Sequence, residues 1–341
     1  MKITTDMLHP ELRQVGKWIR RLQPKMNQRK MKKLGRFSQK ALYGKYSGPN
    51  RLTEVWIPRK DGSLLRLCVF RPRERMSSDK EIFLNHSGKQ WDASIDKAPG
   101  LLWLHGGGFS LGAPEQDASL IDDFIRVSGT VVVAPDYTLS GDAPYPAALE
   151  DAYLALKWLK EHAPEYGVRL DQLFIGGNSA GGGLAAALSL LARDRGEVNI
   201  AFQIPLYPML DASRQTASAQ IENSPVWNSQ YNEVAWKMYL GPDYQAENLP
   251  IYASPAQATD YSNLPPTYTH VGTMEPFFDE TVSYISHLLE AGVPVHFKLF
   301  EGAYHAFDII QPNTPIAKEA RAHLLATFKY AVDNYFSKQP N

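Results

Sequence analysis

The sequence predicts an α/β protein whose mostly parallel sheet is covered by helices on both faces. Two observations predict it: from residue 101 onward, short apolar runs alternate with stretches of helical length, and glycine-rich loops follow two of the runs. Such runs are typical of strands buried on both faces of a parallel sheet. With 341 residues, 44% of them hydrophobic, the chain can build one large domain and a smaller appendage.

The N-terminal segment, residues 11–45, is strongly basic and predicts a helix. Apolar residues recur there at nearly helical spacing: Leu8, Leu12, Val15, Trp18, Ile19 and Leu22. We expect this apolar stripe to pack on the body of the protein and the basic face to be solvated. Attachment to an anionic membrane surface is the alternative interpretation of the same pattern.

The remaining elements follow from the apolar runs and the turn residues between them. Residues 54–57 and 64–70 are predicted strands joined through the turn pair Asp61-Gly62. Further strands are predicted at 101–104, 130–134, 173–176, 202–206, 267–271 and 295–300. Helices are predicted at 147–162, 180–193, 280–291 and 316–335.

Two stretches interrupt this rhythm. Residues 73–97 are polar and mixed, which predicts a long loop with a small hairpin at 82–91. Residues 211–250 contain several large aromatic side chains without a strand pattern, among them Trp227, Trp236 and Tyr239. An insertion of this size between two strands is most simply a small helical subdomain.

Charge and cysteine content narrow the classes of function. The 36 basic and 36 acidic residues balance, so the total favours neither nucleic acid nor acidic substrates as partners. No apolar run reaches the roughly 18 residues of a membrane span, and Asp6, His9 and Glu11 stand where a signal peptide would be apolar. Cys68 is the only cysteine and no zinc-ligand spacing occurs. We expect a cytoplasmic protein with a buried structural thiol, without a metal ion or cofactor.

A serine on a glycine-rich turn is the first chemical signal. Gly177-Asn178-Ser179-Ala180-Gly181 follows an apolar strand and precedes a helical stretch. This is the context of a nucleophile elbow, in which Ser179 would be exposed on a sharp turn. Glycines flank it because a Cβ there would meet the neighbouring strand and helix. A phosphate-binding turn is the alternative, whereas a dinucleotide fingerprint would open the first βα turn of the fold.

Three consecutive glycines after another strand are the second signal. His105-Gly-Gly-Gly-Phe109 follows the predicted strand 101–104. Acyl transfer builds negative charge on a carbonyl oxygen, and backbone N–H groups held at that point stabilise it. A loop of this type supplies one half of an oxyanion hole, and the N–H of the residue after the nucleophile, Ala180, supplies the other.

These motifs together resemble the hormone-sensitive-lipase family of α/β-hydrolase carboxylesterases. The similarity runs in order through residues 100–310. It includes, besides the two glycine motifs, Asp136-Tyr137, Tyr145-Pro-Ala-Ala-Leu-Glu-Asp151, Glu275-Pro-Phe-Phe-Asp-Glu280 and Gly302-Ala-Tyr-His-Ala-Phe307. The resemblance implies an α/β-hydrolase fold with an eight-stranded sheet, and oxyanion donors at Gly107, Gly108 and Ala180.

The resemblance also implies a domain division and a substrate class. Residues 1–45 and the insertion 211–250 would form a helical cap, and residues 46–210 and 251–341 the hydrolase core. A capped pocket implies short- to medium-chain acyl esters as substrates. A homodimer that pairs the strand 295–300 edge to edge would fit the family.

The chain departs from the family at three places. Asn178 stands where the family usually has Asp, and Glu275 stands where Asp is usual. After Tyr137 the usual Arg-Leu-Ala-Pro-Glu is replaced by Thr138-Leu-Ser-Gly-Asp142, so an arginine is missing from that loop.

A serine nucleophile needs a base, and the chain has nine histidines. His305 follows the last predicted strand across a short loop, where this fold keeps its base. The acid should lie between serine and histidine in the chain, and Glu275 follows the strand 267–271. Asp279 is the rival, because Asp is the commoner acid. We therefore expect a triad of Ser179, His305 and Glu275.

The prediction is a cofactor-independent serine carboxylesterase that acts through an acyl-enzyme. A lipase or an amidase is the alternative within the enzyme class. A ligand-binding receptor on the same fold is the alternative outside it, although receptors of that kind lack the histidine. The basic N-terminal segment leaves a third alternative, a protein recruited through that segment.

Overall fold

In the computed structural model, which describes residues 1–73, 97–246 and 248–340, an eight-stranded sheet forms the centre of the molecule. The strands are β1 (Arg51–Pro58), β2 (Leu64–Arg71), β3 (Ala98–Leu104), β4 (Val131–Pro135), β5 (Val168–Asn178), β6 (Phe202–Leu206), β7 (Thr267–Gly272) and β8 (Val295–Phe300). They are ordered β1-β2-β4-β3-β5-β6-β7-β8. Strand β2 is antiparallel to β1 and β4, and the strands from β4 to β8 pair in parallel.

Helices connect the parallel strands. The α-helices of the described residues are α1 (Arg13–Leu22), α2 (Gln28–Leu42), α3 (Ala118–Ser128), α4 (Ala147–His162), α5 (Ala180–Arg195), α6 (Ser229–Leu240), α7 (Phe278–Glu290), α8 (Phe307–Ile310) and α9 (Pro315–Asn334). Short 3-10 turns lie between several of them. The predicted mostly parallel α/β architecture is confirmed.

Alternate residues of the central strands pack into two separate hydrophobic cores, one on each face of the sheet. Leu102 and Leu104 of β3 pack in one cluster with residues of α4 and α5. Leu101 and Trp103 pack on the other face with residues of α3 and α9. Both faces of β3 are therefore buried, which explains why the strand reads as a continuous apolar run.

Helix α3 is absent from the sequence prediction. Its apolar positions do have helical spacing, since Leu120, Ile121, Phe124 and Ile125 are all buried. Gly129 ends the helix in the left-handed conformation, with φ of 68°. The segment therefore carries a helical signal, although it lies between two stronger strand patterns. The predicted hairpin at 82–91 lies outside the described residues.

The predicted packing of the N-terminal helix is wrong in two respects. The segment forms two helices, and Pro24 lies in the break between α1 and α2. Leu8 and Leu12 are buried as expected, but Val15, Trp18 and Leu22 are exposed. Helix α1 instead approaches the body through Gly16, where an added Cβ would lie 3.1 Å from the Tyr304 ring and 3.3 Å from Pro225. A glycine face permits this close approach, so the large apolar residues turn outward.

The insertion at 211–250 contains helix α6, whose first turn is capped by the Asn228 side chain. Helix α2 packs against α6. The segment before α2 is joined to the insertion by hydrogen bonds from Gln23 Nε2 to the Val226 carbonyl and from the Tyr231 hydroxyl to the Pro24 carbonyl. These contacts bring the two parts of the expected cap together, while the domain boundaries themselves stay a prediction.

Two smaller sequence predictions can be compared with the structure. Cys68 is fully buried in β2, as expected of a structural thiol, and burial raises its pKa far above the usual range. Among residues 1–73, 97–246 and 248–340, none of the helices is both long enough and apolar enough to cross a bilayer.

Candidate active site

Ser179 lies on the sharp turn between β5 and α5. Its backbone has φ of 57° and ψ of −120°, a conformation that non-glycine residues rarely adopt. Its amide donates to the Leu206 carbonyl at 2.9 Å, and its carbonyl accepts from Gly183 and Met209. The turn is thus held by β6 and by the first turn of α5, which can maintain the strained conformation.

The flanking glycines have the steric reason that the sequence predicted. A Cβ on Gly177 would lie 2.4 Å from the Gly181 carbonyl oxygen and 2.5 Å from that of Leu104. A Cβ on Gly181 would lie 2.0 Å from the Leu104 oxygen. Neither contact can be relieved by a side-chain rotation, because each obstacle is backbone. The elbow can therefore pass between β3 and α5 only with glycine at both positions.

The structure brings Ser179, His305 and Glu275 together, although 126 residues separate the serine from the histidine. His305 Nε2 lies 2.8 Å from Ser179 Oγ, and His305 Nδ1 contacts Glu275 Oε2. An ionised carboxylate can only accept, so the Nδ1 proton points to Glu275 and Nε2 is free to accept the hydroxyl proton. All three side chains are buried.

Glu275 is fixed by a second contact, because its Oε1 accepts the Gly272 amide at the end of β7 at 3.0 Å. Asp279, the rival acid, lies elsewhere. Its Oδ2 accepts the Ser218 amide at 2.7 Å, and its own amide donates to the Ser218 hydroxyl at 3.0 Å. Asp279 therefore ties the start of α7 to the insertion, and its contacts are with Ser218 rather than His305.

Aromatic rings enclose His305. Tyr207 and Phe277 meet the imidazole edge-on, with ring centroids 5.1 Å and 5.0 Å away, and Trp227 lies 6.4 Å away. Such packing restricts the imidazole to a few orientations and keeps bulk water from the contact with Ser179.

The loop after β3 runs beside the elbow in an unusual conformation. Gly107, Gly108 and Phe109 have φ values of 124°, 59° and 57°. Among the described residues, the amides of Gly107, Gly108 and Ala180 make no hydrogen bond. Unpaired amides at such a site are costly unless a ligand or water accepts from them. The three predicted oxyanion donors are thus available to an incoming oxygen.

His105 maintains this loop from below. Its ring stacks on Tyr137, with centroids 4.2 Å apart, and its Nδ1 lies 2.9 Å from the Gly106 carbonyl. The Tyr137 hydroxyl donates to the His105 carbonyl at 2.8 Å. Complete burial lowers the pKa of His105 to about 4, so the ring is neutral near neutral pH. Its contacts therefore hold the backbone of the loop rather than move protons.

Trp227 of the insertion covers the oxyanion loop. A Cβ on Gly108 would lie 2.3 Å from the Trp227 ring, so the indole rests directly against that glycine. The side chain is only 5% exposed and also contacts Tyr231 edge-on. The sequence identified Trp227 as an aromatic residue of the insertion, but its position against Gly108 depends on long-range packing.

Two residues at the site were missed by sequence reasoning, and both concern departures from the family pattern. Asp117 is buried beneath the elbow and accepts the Asn178 side-chain amide at 3.0 Å and the Trp103 indole N–H at 2.9 Å. Arg59 donates to the two carboxylate oxygens of Asp151 at 2.6 Å and 3.0 Å, while the Thr138 amide and hydroxyl donate to the same group.

These contacts bear on two departures. Asn178 is a donor, which suits a neighbouring buried carboxylate. Arg59 of the β1–β2 turn binds the Asp151 carboxylate that also holds Thr138 of the loop after Tyr137. No local sequence pattern signals either pair, since the partners are 61 and 92 residues apart. Within the described ranges, no group of three or more His, Cys, Asp or Glu side chains is arranged to hold a metal ion.

Comparison with known proteins places this site in a known class. A family model described as the α/β hydrolase fold matches residues 101–309. Esterase LipI of Mycobacterium tuberculosis is 32% identical over 225 residues, which are 66% of this chain and 70% of LipI. An ethyl acetate hydrolase of Pseudomonas putida is 29% identical over 79% of this chain and 80% of its own. A solved bacterial heroin esterase superposes with a TM-score of 0.82 at 28% identity, covering 97% of this chain and 99% of its own.

The fold and the relatives define a carboxylic-ester hydrolase with the α/β-hydrolase fold. The chain belongs to the hormone-sensitive-lipase group of α/β-hydrolase carboxylesterases, as the motifs of its sequence predicted. It hydrolyses esters.

Proposed function

We propose that this chain is a serine carboxylesterase acting on short- to medium-chain acyl esters through a Ser179–His305–Glu275 triad and an acyl-enzyme. The observation that carries the proposal is the 2.8 Å contact between Ser179 Oγ and His305 Nε2, with the other imidazole nitrogen against Glu275. This is the relay that converts a weakly nucleophilic hydroxyl into an attacking group.

The first half of the reaction acylates the enzyme. Ser179 Oγ attacks the ester carbonyl carbon while His305 Nε2 accepts its proton, and the carbonyl electron pair moves onto the oxygen. The amides of Gly107, Gly108 and Ala180 donate to that oxyanion. When the tetrahedral intermediate collapses, the carbon–oxygen bond to the alcohol breaks and His305 returns the proton to the leaving alcohol.

The second half releases the acid. Water gives a proton to His305 and attacks the acyl-enzyme, and collapse of the second tetrahedral intermediate returns that proton to Ser179 Oγ. Glu275 keeps the imidazole in one tautomer and stabilises its charged form through both halves. Preorganised amide donors of this kind contribute about 10² to 10³ in rate each.

The preference for shorter acyl chains is supported by the packing of the insertion. We propose that the N-terminal helices and the insertion together cap the site, with Trp227 limiting the space beside the oxyanion loop. Its ring rests against Gly108, and Trp236 and Met238 of α6 are buried behind it. A long acyl chain would have to displace a buried indole, which costs several kcal/mol in a packed interior, about 3–5 for a full truncation.

One panel of assays tests both parts of this proposal. Initial rates are measured on p-nitrophenyl esters from acetate to palmitate for the wild type, Ser179→Ala and Trp227→Ala. We expect kcat to fall by about 10⁶-fold in Ser179→Ala while the protein stays folded. We expect the wild type to favour short chains and Trp227→Ala to shift the optimum towards longer ones.

Each part can fail separately. Normal turnover by folded Ser179→Ala would remove the serine from the mechanism. An unchanged chain-length profile in Trp227→Ala would leave the esterase in place but transfer the length limit to other residues. Inactivity of the folded wild type on every chain length would favour the receptor alternative.

A further inference from the structure

The charge of this chain is divided very unevenly. Residues 1–45 hold 13 of the 36 Lys and Arg residues but only two of the 36 Asp and Glu residues, a net charge of +11. The other 296 residues therefore carry −11. The molecule is neutral as a whole, yet its N-terminal segment is a concentrated cation. Such asymmetry indicates interaction with a polyanionic partner.

Most of this positive charge lies on helices α1 and α2, which pack on the outer side of the insertion. Helix α1 turns Gly16 towards Pro225, and α2 packs on α6 with Met31 fully buried. The opposite sides of both helices face solvent on the cap side of the molecule. We call these two exposed sides the outer face of α1 and α2.

The outer face carries large apolar side chains, which ordinary solvated helices avoid. Trp18 is 53% exposed, Leu22 74% and Phe37 69%. Val15, Trp18 and Leu22 follow one side of α1 at helical spacing, and the exposed Leu34 lies one turn before Phe37 on α2. Within residues 1–73, 97–246 and 248–340, the solvent-facing sides of both helices therefore carry exposed apolar side chains.

Exposed cations border these apolar stripes. Lys17, Arg21 and Lys25 are exposed beside the α1 stripe, and Arg29, Lys33 and Lys40 are exposed along α2. Across residues 1–73, 97–246 and 248–340 none of these six forms a salt bridge, whereas Lys32 and Arg36 pair with Asp142. In the described part of the chain, six exposed cations without an acidic partner are thus interleaved with aromatic and aliphatic groups.

We propose that the outer face of α1 and α2 docks on an anionic lipid bilayer. Basic amphipathic helices bind such surfaces by placing their apolar side chains at the acyl boundary and their cations among the anionic headgroups. A nucleic acid would use the cations but would leave the aliphatic Val15, Leu22 and Leu34 in water. The apolar stripes therefore favour lipid.

The negative remainder of the chain gives the docking a direction. An anionic surface attracts the outer face and repels the rest of the molecule, so the cap side turns to the bilayer. In that orientation the helices that cover Ser179 lie against the membrane, where apolar esters dissolve. Membrane binding does not require catalysis, so its test is independent of the proposed triad.

Vesicle co-sedimentation tests the proposal. The full chain is mixed with vesicles of phosphatidylcholine alone, or with vesicles of equal parts phosphatidylcholine and phosphatidylglycerol. We expect binding only to the anionic vesicles, weakening as salt shortens the Debye length. Trp18→Ser with Phe37→Ser should lower the affinity by about tenfold or more. Lys17→Glu with Lys33→Glu should lower it by at least about 25-fold, since each basic residue near the surface contributes roughly fivefold.

Matched variants elsewhere serve as controls. Leu289→Ser with Phe336→Ser removes two apolar residues of comparable exposure, and Lys60→Glu with Lys318→Glu reverses two exposed charges. Both control pairs should bind vesicles like the wild type. Thermal melts show that each variant is folded, and all four pairs should hydrolyse a soluble short-chain ester at the wild-type rate.

Three results would overturn the proposal. The first is no sedimentation with anionic vesicles at low salt. The second is equal weakening by the control pairs. The third is tighter binding of the outer face to a fluorescent single-stranded oligonucleotide than to anionic vesicles, which would assign the surface to nucleic acid.

Discussion

The carboxylate beside His305 is the most specific choice in the site. Glu275 contacts His305 Nδ1 and is held by the Gly272 amide, whereas Asp279 contacts Ser218. We expect Glu275→Ala to lower kcat by about 10⁴-fold, since removing a triad acid leaves the imidazole in the wrong tautomer. Asp279→Ala should cost less than about tenfold, because it only loosens a contact to the insertion. Steady-state kinetics on a short-chain ester compare the two, and the reverse order would give the role to Asp279.

The contact between Asn178 and Asp117 leads to a second prediction at the residue scale. Burial raises the pKa of Asp117 to about 6, against the lowering effect of its two hydrogen-bond donors. Asn178→Asp would replace one donor by a second carboxyl, and the two neighbouring carboxyls would share a proton. The folded variant then binds more protons than its unfolded chain, so its stability falls as pH rises above the carboxyl pKa values of the unfolded state.

The expected signature is a pH-dependent loss. Urea unfolding should show the variant to be destabilised by roughly 2–4 kcal/mol near pH 8 and by less near pH 5. Asn334→Asp, an exposed change at the end of α9, should keep the pH dependence of the wild type. Parallel stability profiles for wild type and Asn178→Asp would mean that the two side chains are not coupled.

At the scale of elements, one glycine sets how closely helix α2 approaches the oxyanion loop. A Cβ on Gly35 would lie 2.2 Å from the Ser110 carbonyl oxygen, which belongs to the loop that follows the oxyanion glycines. Helix propensity alone favours Gly35→Ala by up to about 1 kcal/mol. The clash with fixed backbone should outweigh this, so α2 or the loop must move.

We therefore expect Gly35→Ala to destabilise the protein by about 1–3 kcal/mol and to lower kcat through the displaced loop. Gly141→Ala is the matched control, because the nearest atom to its Cβ would be Cγ of the flexible Lys32 side chain at 3.3 Å, and the Lys32 Cα lies at an ordinary contact distance of 3.7 Å. Thermal melting and ester hydrolysis are measured on both variants. A stabilised, fully active Gly35→Ala would show that propensity outweighs the contact.

The helix between β3 and β4 shows how far a local sequence pattern predicts a helix. Helix α3 has a regular apolar pattern and ends at a glycine, so its local sequence is sufficient to predict it. The outward stripe of α1 is the opposite case. Its spacing is helical, but spacing cannot distinguish a stripe buried on the body from one that faces solvent.

At the scale of the whole molecule, the edge strand β8 predicts how two copies of the chain associate. Strand β8 ends the sheet, and its Phe297 and Leu299 are 36% and 43% exposed. Exposed apolar edge strands readily pair with another chain. We expect a homodimer joined through β8, with Phe297→Lys and Leu299→Lys together converting it to a monomer in light scattering after size exclusion.

The dimer prediction has its own control. Leu170→Lys changes a residue of similar exposure, 41%, on β5 away from this edge, and it should leave the dimer intact. A wild-type protein that is monomeric at micromolar concentration would exclude the β8 dimer. Dissociation by Leu170→Lys would place the interface elsewhere.

Local chemistry is what the sequence determined by itself. The elbow at Ser179 and the loop at Gly107 demand glycines where backbone approaches backbone, and Gly108 has a positive φ with the Trp227 ring against it. Such demands leave a pattern within a few residues. The alternation of apolar strands with helices and these glycine motifs indicated the fold, which the α/β-hydrolase family match confirms. Buried strands also leave a local pattern, a continuous apolar run, because both of their faces need apolar residues.

Only the tertiary structure decided the choices that depend on partners distant in the chain. It placed Glu275 rather than Asp279 against His305, set Asp117 under Asn178, pressed Trp227 onto Gly108, and turned Trp18 outward. In each case the local sequence does not distinguish the candidate side chains, because they differ only in the residues that folding brings beside them. Contacts across 30 to 126 residues, as in the triad, are fixed by packing of the whole chain.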